Sequence, residues 1–527
     1  MKKIKYIASA LMAATFVGCS DMNTEPLGST VTTDQKAEAA ASNPARVEAS
    51  VNAISAMFYD FGKNLSESYH NDLKFPFVML ATDCRGMDLV SDNIGYNWFS
   101  SAVDYSDLNY SGTFTYMYWT TFYKQLNSVN NVAALIDPTT KDDQLMYYLA
   151  QALAVRAFDY FYLAQMYQQT YVGNENRPCV PLITEKNMDD AATNGCKRAT
   201  VAEVYKQIMD DLDAAIEMLE KTSVKRADKR YVDAAVAYGI RARVNLVMNN
   251  WADAAADAAK AIELTEATPY TAEQVKKPGM SEIEDNSWMW GMLVAETDRP
   301  VTSGICNWPS HMGTFGYGYA SVGAWRKISV SLYDAIPATD VRKGWFLDEN
   351  SSSPYLTAEQ VNYVANYGIP PYTHVKFGTY KDVLGTSTNA NDIPLMRVEE
   401  MYLILAEAQA MAGDVAAGAA TLQSFVTEFR DPAYVCDATE AVRVQNAAWM
   451  QRRIELWGEG FSYFDILRLN KGVDRRGTGF EAAYVYNIPA GDPALIYRIP
   501  KTEIEGNPAL EESDNNEAAS EPEPVVE

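Results

Sequence analysis

The sequence predicts a mostly α-helical protein built from repeat-like helix pairs and joined to an irregular, loop-rich half. Three observations predict it. Apolar and small residues recur at helical spacing over most of the chain. Alanine-rich segments come in pairs divided by short Asn or Gly turns. Between about residues 268 and 392 this periodicity gives way to Gly, Pro, Asn, Ser and aromatics, and five of the ten Trp fall there.

Taken in chain order, Lys2, Lys3 and Lys5 precede an apolar run from Ile7 to Gly18, the order of a secretory signal. The run is shorter than the roughly 20 residues a membrane span needs. Phe16-Val17-Gly18-Cys19 resembles a bacterial lipobox, with Phe16 where Leu is usual. Residues 1–18 are therefore expected to be removed and Cys19 lipidated. More than one acyl chain there meets the requirement for stable anchoring. Ser20-Asp21 resembles the short acidic signal that sends Bacteroidetes lipoproteins to the cell surface, and residues 19–35 read as a lipid-anchored tether.

The main domain is expected over 36–510. Residues 37–63 read as one helix, and Asp142 to Gln168 as a long amphipathic one. Thr200 is the expected N-cap of a helix over 201–221, with Glu203 completing a capping box. In 231–264, two alanine sets flank Asn249-Asn250-Trp251, and the unit approaches the roughly 34 residues of a tetratricopeptide repeat. Residues 397–429 repeat the pattern around Gly413-Asp414. The wide gap between the copies argues against a continuous solenoid. Residues 82–119 and 268–392 are loop-rich and aromatic, and long irregular segments in compact proteins usually carry function. The acidic tail 511–527, with two Pro and no aromatic residue, is expected to be disordered.

Composition narrows the function. Of 527 residues, 44 are Lys or Arg and 69 Asp or Glu, giving a formal charge of −25 that loss of the signal takes to −28. So acidic a chain is no general nucleic-acid binder. Three scattered histidines, His70, His311 and His374, give no metal site, and no cofactor is implied. Apart from Cys19 the cysteines are odd in number and scattered, which is no disulfide framework, although Cys179 and Cys196 flank a loop and are a candidate pair. Tyr, at 33 residues, outnumbers Phe at 18, and an apolar ring with a polar tip suits wet recognition surfaces.

Several motifs together resemble the SusD/RagB family of surface nutrient-binding lipoproteins. The strongest runs from Arg452-Arg453-Ile454-Glu455-Leu456 through Glu459-Gly460 to Phe464-Asp465-Ile466-Leu467-Arg468, with Gln451 and Ser462 departing from common family residues. Pro394-Leu395-Met396-Arg397 leads into Glu399 and Ala406-Glu407-Ala408, and Ile499-Pro500, Glu503-Ile504 and Asn507-Pro508 follow downstream. Arg156 to Tyr167 followed by Val180-Pro181-Leu182 adds a fourth match and the helix order over 199–219 and 231–264 a fifth, so the resemblance spans Cys19 to about Leu510. It implies a SusD-like fold and capture of an oligosaccharide or polysaccharide at the outer membrane. It also implies delivery to a partner TonB-dependent barrel of the SusC kind. The same uptake role for peptides, a surface glycosidase and a pure protein-interaction scaffold remain as alternatives.

No GxSxG, HExxH or P-loop occurs. Glu455 and Glu459 are a possible glycosidase pair, but nearby Arg452, Arg453 and Arg468 would hold carboxylates ionised, whereas a glycosidase acid needs a raised pKa. An ion network that includes Asp465 and Arg397 accounts for them better. Sugar recognition asks for aromatic platforms and polar groups. The expected ligand residues are Asp83, Arg85, Asn97 and Trp98 from the first loop-rich region, which also holds Asn93 and Tyr96. The second region contributes Trp308, Tyr317, Tyr319 and Trp325, carried among glycines.

Overall fold

The computed structural model describes residues 33–92 and 94–525. The signal, Cys19, most of the tether and Asn93 lie outside the described residues. The helix expected over 37–63 is two, α1 (Thr33–Ser42) and α2 (Ala45–Ala56), because Pro44 has no N–H to donate and its ring blocks a continuous helix. Next come α3 (Phe75–Arg85), α4 (Thr113–Ala133) and α5 (Asp143–Tyr167). They lead to α6 (Val201–Lys221), α7 (Ala234–Val247) and α8 (Trp251–Leu264). Asp142 caps α5 by accepting from the Leu145 N–H, and Thr200 and Glu203 close the expected capping box on α6. After the irregular stretch follow α9 (Val398–Met411), α10 (Val415–Phe429), α11 (Ala441–Glu455) and α12 (Ser462–Arg468).

α5 departs from the amphipathic expectation. Every side chain from Leu145 to Tyr167 is buried, because α2, α4, α6 and α7 cover it from several sides. It is the axis of the molecule rather than a surface helix.

From α4 to α10 each helix packs on the next, and this corrects the expectation of separate repeat copies. α8 lies directly against α9, so the second pair continues the first. The strand Trp288–Met292 explains how. It pairs antiparallel with Ile393–Arg397, Trp288 opposite Arg397 and Met292 opposite Ile393. The chain leaves the array and returns to it at one place. Small residues permit the close packing: a Cβ on Gly418 of α10 would stand 2.5 Å from the Ala406 carbonyl oxygen of α9.

A buried ion network ties the C-terminal end of α11 to the surrounding loops. Glu455 accepts from Arg430 at 2.7 Å and from Arg397 and Arg342 at 3.1 Å. Glu459 accepts from Lys376 at 2.7 Å and Arg397 at 2.9 Å, and Lys376 also donates to the carbonyls of Glu455 and Trp457. Glu399 pairs with Arg430, and Asp340 with Arg342. Four cations thus meet four carboxylates. Arg397 belongs to this network as expected, whereas Asp465 sits in a neighbouring ionic cluster of its own, and the arginines nearest in sequence do not serve Glu455. Arg452 goes to Asp465, Arg453 to Asp88, and Arg468 to Asp465 and Glu407.

The tail expected to be disordered lies against the body as a strap. Asn515 exchanges two hydrogen bonds with the Ile499 backbone, at 2.8 and 2.9 Å. Asn516 donates to the carbonyls of Tyr167 and Tyr497, and the Val525 N–H reaches the Val485 carbonyl. Amides hold the strap, so its acidic composition was a poor guide. Cys179 and Cys196 are both free. The register Pro178 opposite Thr200 and Pro181 opposite Arg198 puts the two thiols out of step across the ribbon.

Candidate ligand-binding site

Three chain segments meet to form an aromatic stack: the turn after α2, the loop before Phe99, and the segment 307–325. Asn307 caps the short helix Trp308–Met312 by accepting from the Ser310 N–H at 2.9 Å. The chain then folds back on that helix at Gly318, where a Cβ would stand 2.4 Å from Ser310 Cα. Only glycine fits so close an approach. The Tyr319 N–H donates to Ser310 Oγ at 3.1 Å, which sets the tyrosine ring beside the helix.

The stack is continuous from core to surface. The buried His311 ring lies on Tyr319 with centroids 4.8 Å apart and planes at 19°. The Tyr319 hydroxyl is hydrogen-bonded to Nδ1 of His70. His70 stacks on Trp98 at 4.7 Å and 25°. Two bonds fix this order: His311 Nε2 to the His70 carbonyl at 2.9 Å, and Asn71 Nδ2 to the Trp98 carbonyl at 2.8 Å. Trp98 and His70 are half-buried, and around them Tyr96 is 58% and Tyr317 52% exposed.

The stack is uncharged at neutral pH. Burial lowers the His70 pKa, takes His311 down to about 3 and pushes Tyr319 up to about 12. Of the nearby ions, Lys327 and Asp92 neutralise each other at 2.8 Å, and Arg326 is buried behind the stack, donating to the His311 carbonyl at 2.9 Å. Such a surface offers flat ring faces and hydrogen-bonding tips without a fixed charge. That chemistry matches a neutral polyol with apolar C–H faces, and it gives a charged ligand no counter-ion.

Of the eight residues expected from sequence, the structure brings Trp98 and Tyr319 together, Tyr319 buried behind the half-buried Trp98 and His70, and puts Tyr317 beside them. Four others are internal. Asp83 accepts from the Gly460 N–H at 2.9 Å, and burial pushes its carboxyl up to about 8. Arg85 is consumed by an ion pair with Asp107 and by the Ala494 carbonyl. Both lie on α3, which is buried on all sides. Asn97 donates to Ser91 Oγ and the Asp92 carbonyl at 2.9 Å, shaping the loop that carries Trp98. Trp308 is buried edge-on to Phe377 at 5.0 Å. Trp325 is half-buried against a neighbouring cluster.

Sequence reasoning missed His70 and His311. Scattered histidines point at most to a metal site, and stacking between residues so far apart in the chain leaves no local signal. Among the described residues no group of three or more His, Cys, Asp or Glu is placed to hold a metal ion. No described helix is long and apolar enough to cross a membrane.

The Glu455–Glu459 pair is unsuited to glycoside cleavage. Burial would raise the pKa of Glu455, but Arg430, Arg397 and Arg342 overcome it and hold the carboxyl well below its usual range. Arg397 and Lys376 likewise lower Glu459 against its burial. Neither can supply the high-pKa acid that glycoside cleavage requires.

Comparison with known proteins adds to this. A family model described as starch-binding, associating with the outer membrane, matches residues 49–246, and one for the SusD family matches 338–516. No curated protein matches the chain at a significant level. Among solved structures, a SusD-like carbohydrate-binding protein from Bacteroides vulgatus superposes with a TM-score of 0.73 at 23% identity, over 90% of this chain and 98% of its own. A SusD superfamily protein from Bacteroides thetaiotaomicron gives 0.68 at 20% identity, over 92% and 100%. A laminarin-binding SusD-like protein gives 0.61 at 18% identity, over 90% and 99%.

Proposed function

Because this chain belongs to the SusD/RagB family, a group of sugar-binding, outer-membrane-associated proteins, we propose that it captures an oligosaccharide or polysaccharide on the Trp98–His70–Tyr319 stack. It acts as a binding protein rather than an enzyme. Lipidated at Cys19, it sits on the cell surface and passes its cargo to a TonB-dependent outer-membrane barrel. The observation that carries the reading is the uncharged aromatic stack itself. Ring faces and neutral hydrogen-bonding tips are what a sugar requires, and the molecule's many charges are spent elsewhere.

Titration calorimetry of the lipid-free protein against a panel of soluble glycans, laminarin included, and against a peptide digest tests the cargo. Heat with a glycan, abolished by Trp98→Ala, is the expected result. Heat from the peptides with silence from every glycan turns the reading to peptide uptake. For the partner, affinity capture from solubilised outer membranes is expected to recover a barrel protein, and capture without one removes the delivery step.

A further inference from the structure

A second aromatic pair lies on the same side of the chain segment that carries Tyr317 and Tyr319, linked to it through Phe315 and the loop 384–389. The segment 313–325 that carries Tyr319 runs into a second cluster, where Phe315, Tyr363 and Val364 are buried and Trp325 packs against them. Tyr363 and Tyr367 stand one turn apart on the helix Ala358–Tyr367, which Gly368 closes in the left-handed region at φ 61°. Their rings stack with centroids 4.3 Å apart and planes at 25°. Tyr363 is 9% exposed, and its ring lies 3.6 Å from where a Cβ on Gly385 would stand, in the loop that holds Tyr317. Tyr367 lies outside it and is 53% exposed. One face of the Tyr367 ring is thus backed by a buried partner, leaving the other to solvent.

This second ring is tied to the first site by backbone. The Tyr317 N–H donates to the Thr386 carbonyl at 2.7 Å, the Gly385 N–H to the Phe315 carbonyl at 2.7 Å, and Asn389 to the Tyr317 carbonyl at 3.0 Å. The loop 384–389 therefore locks the segment bearing Tyr317 and Tyr319 beside the Tyr363 helix. Tyr317 and Val322, on that same segment, are exposed as well. A ring held flat in advance binds without the entropy cost of ordering it, which separates Tyr367 from an ordinary surface tyrosine.

We infer that Tyr367, backed by Tyr363, is a second sugar platform, and that the protein therefore selects glycan chains long enough to reach from Trp98 to Tyr367 over short ones. The inference rests on the reading of the Trp98 stack as a glycan site. The occupant is one neutral chain crossing both platforms. Losing one stacked ring costs about three- to tenfold in affinity.

The test is calorimetry with two size series, laminari- and malto-oligosaccharides from the disaccharide to the heptasaccharide. Wild-type protein is expected to tighten with length in at least one series. Tyr367→Ala is expected to lose about three- to tenfold on the longest chain and nothing on the shortest that binds, with an unchanged melting temperature. Trp98→Ala is expected to weaken every length. A length preference that survives Tyr367→Ala overturns the second platform alone. Loss of equal size at all lengths in Tyr367→Ala overturns it too, since Tyr367 then acts on the first site. If neither series binds to wild-type protein at any length, the glycan reading of the Trp98 stack fails, and this inference fails with it.

Discussion

Around α9, α11 and α12 the protein buries a dense set of charges, each matched by an opposite one and by backbone carbonyls. Around Trp98 and Tyr319 it gathers rings and two neutral imidazoles, with the buried Arg326 behind them donating to the His311 carbonyl and to Asn97. The first region uses charge to fix geometry, since each buried carboxylate there faces a cation. The second spends its inner polar tips on holding the stack together and presents half-buried ring faces flanked by the exposed Tyr96 and Tyr317, where an uncharged ligand can lie. Side chains of the same polarity are therefore structural in one half and available in the other, and burial decides which.

The sharpest way to break this comparison is to unbalance the ionic half. Glu455→Gln leaves Arg430, Arg397 and Arg342 short of a charge in a dry interior, and denaturant unfolding is expected to report a loss of about 3–5 kcal/mol. If the variant is as stable as the wild type, the network is not holding the fold.

Acid comes next. His311 and His374 are both taken down to about 3 by burial, against 6.5 when unfolded. Between those values the unfolded state binds more protons. Their contribution is therefore complete above pH 6.5 and lost as pH falls, at up to about 1.4 kcal/mol per pH unit for each ring. Melting temperatures measured downward from pH 7 check it, and His374→Gln should flatten the curve. Asp83 runs the other way with a single proton. Its native carboxyl stays protonated to about 8, whereas the unfolded one releases near 3.8, so its contribution is complete at low pH and lost as pH rises through that window. Asp83→Asn should gain on the wild type progressively from pH 4 to 8 and level off beyond it.

The smallest effect on folding belongs to the ligand face. Trp98→Ala should lose tenfold or more in glycan affinity, about 1.4 kcal/mol, with little change in melting temperature. A large stability loss instead would mark Trp98 as core.

Much of the scaffold was readable along the chain. The Thr200–Glu203 box, the turns at Asn249 and Gly413, and the membership of Arg397 and Asp465 in buried ion networks rest on local spacing or residue type, and they stand as expected. What sequence did not reveal was tertiary. Asp83 and Arg85 carry ordinary ligand chemistry, but they sit on α3, whose every face is covered. Arg452 and Arg453 neighbour Glu455 in sequence, yet the cations that reach it come from Arg342, Arg397 and Arg430. His70 and His311 meet across the fold, so no window of residues contained the site. The strap 511–525 was misjudged from its acids when Asn515 and Asn516 hold it.

The pairing of Trp288–Met292 with Ile393–Arg397 has a wider consequence. It clamps the two ends of the irregular stretch together, and Arg342 and Lys376 within the stretch anchor it again at Glu455 and Glu459, so the parts between these anchors form closed loops. Lengthening such a loop is cheap, roughly 0.6 kcal/mol for each doubling. In evolutionary terms it is a cassette. Tyr317, Tyr319 and Tyr367 all lie within it, so one part of the binding face can drift toward a new nutrient while the array from α4 to α10 stays as it is.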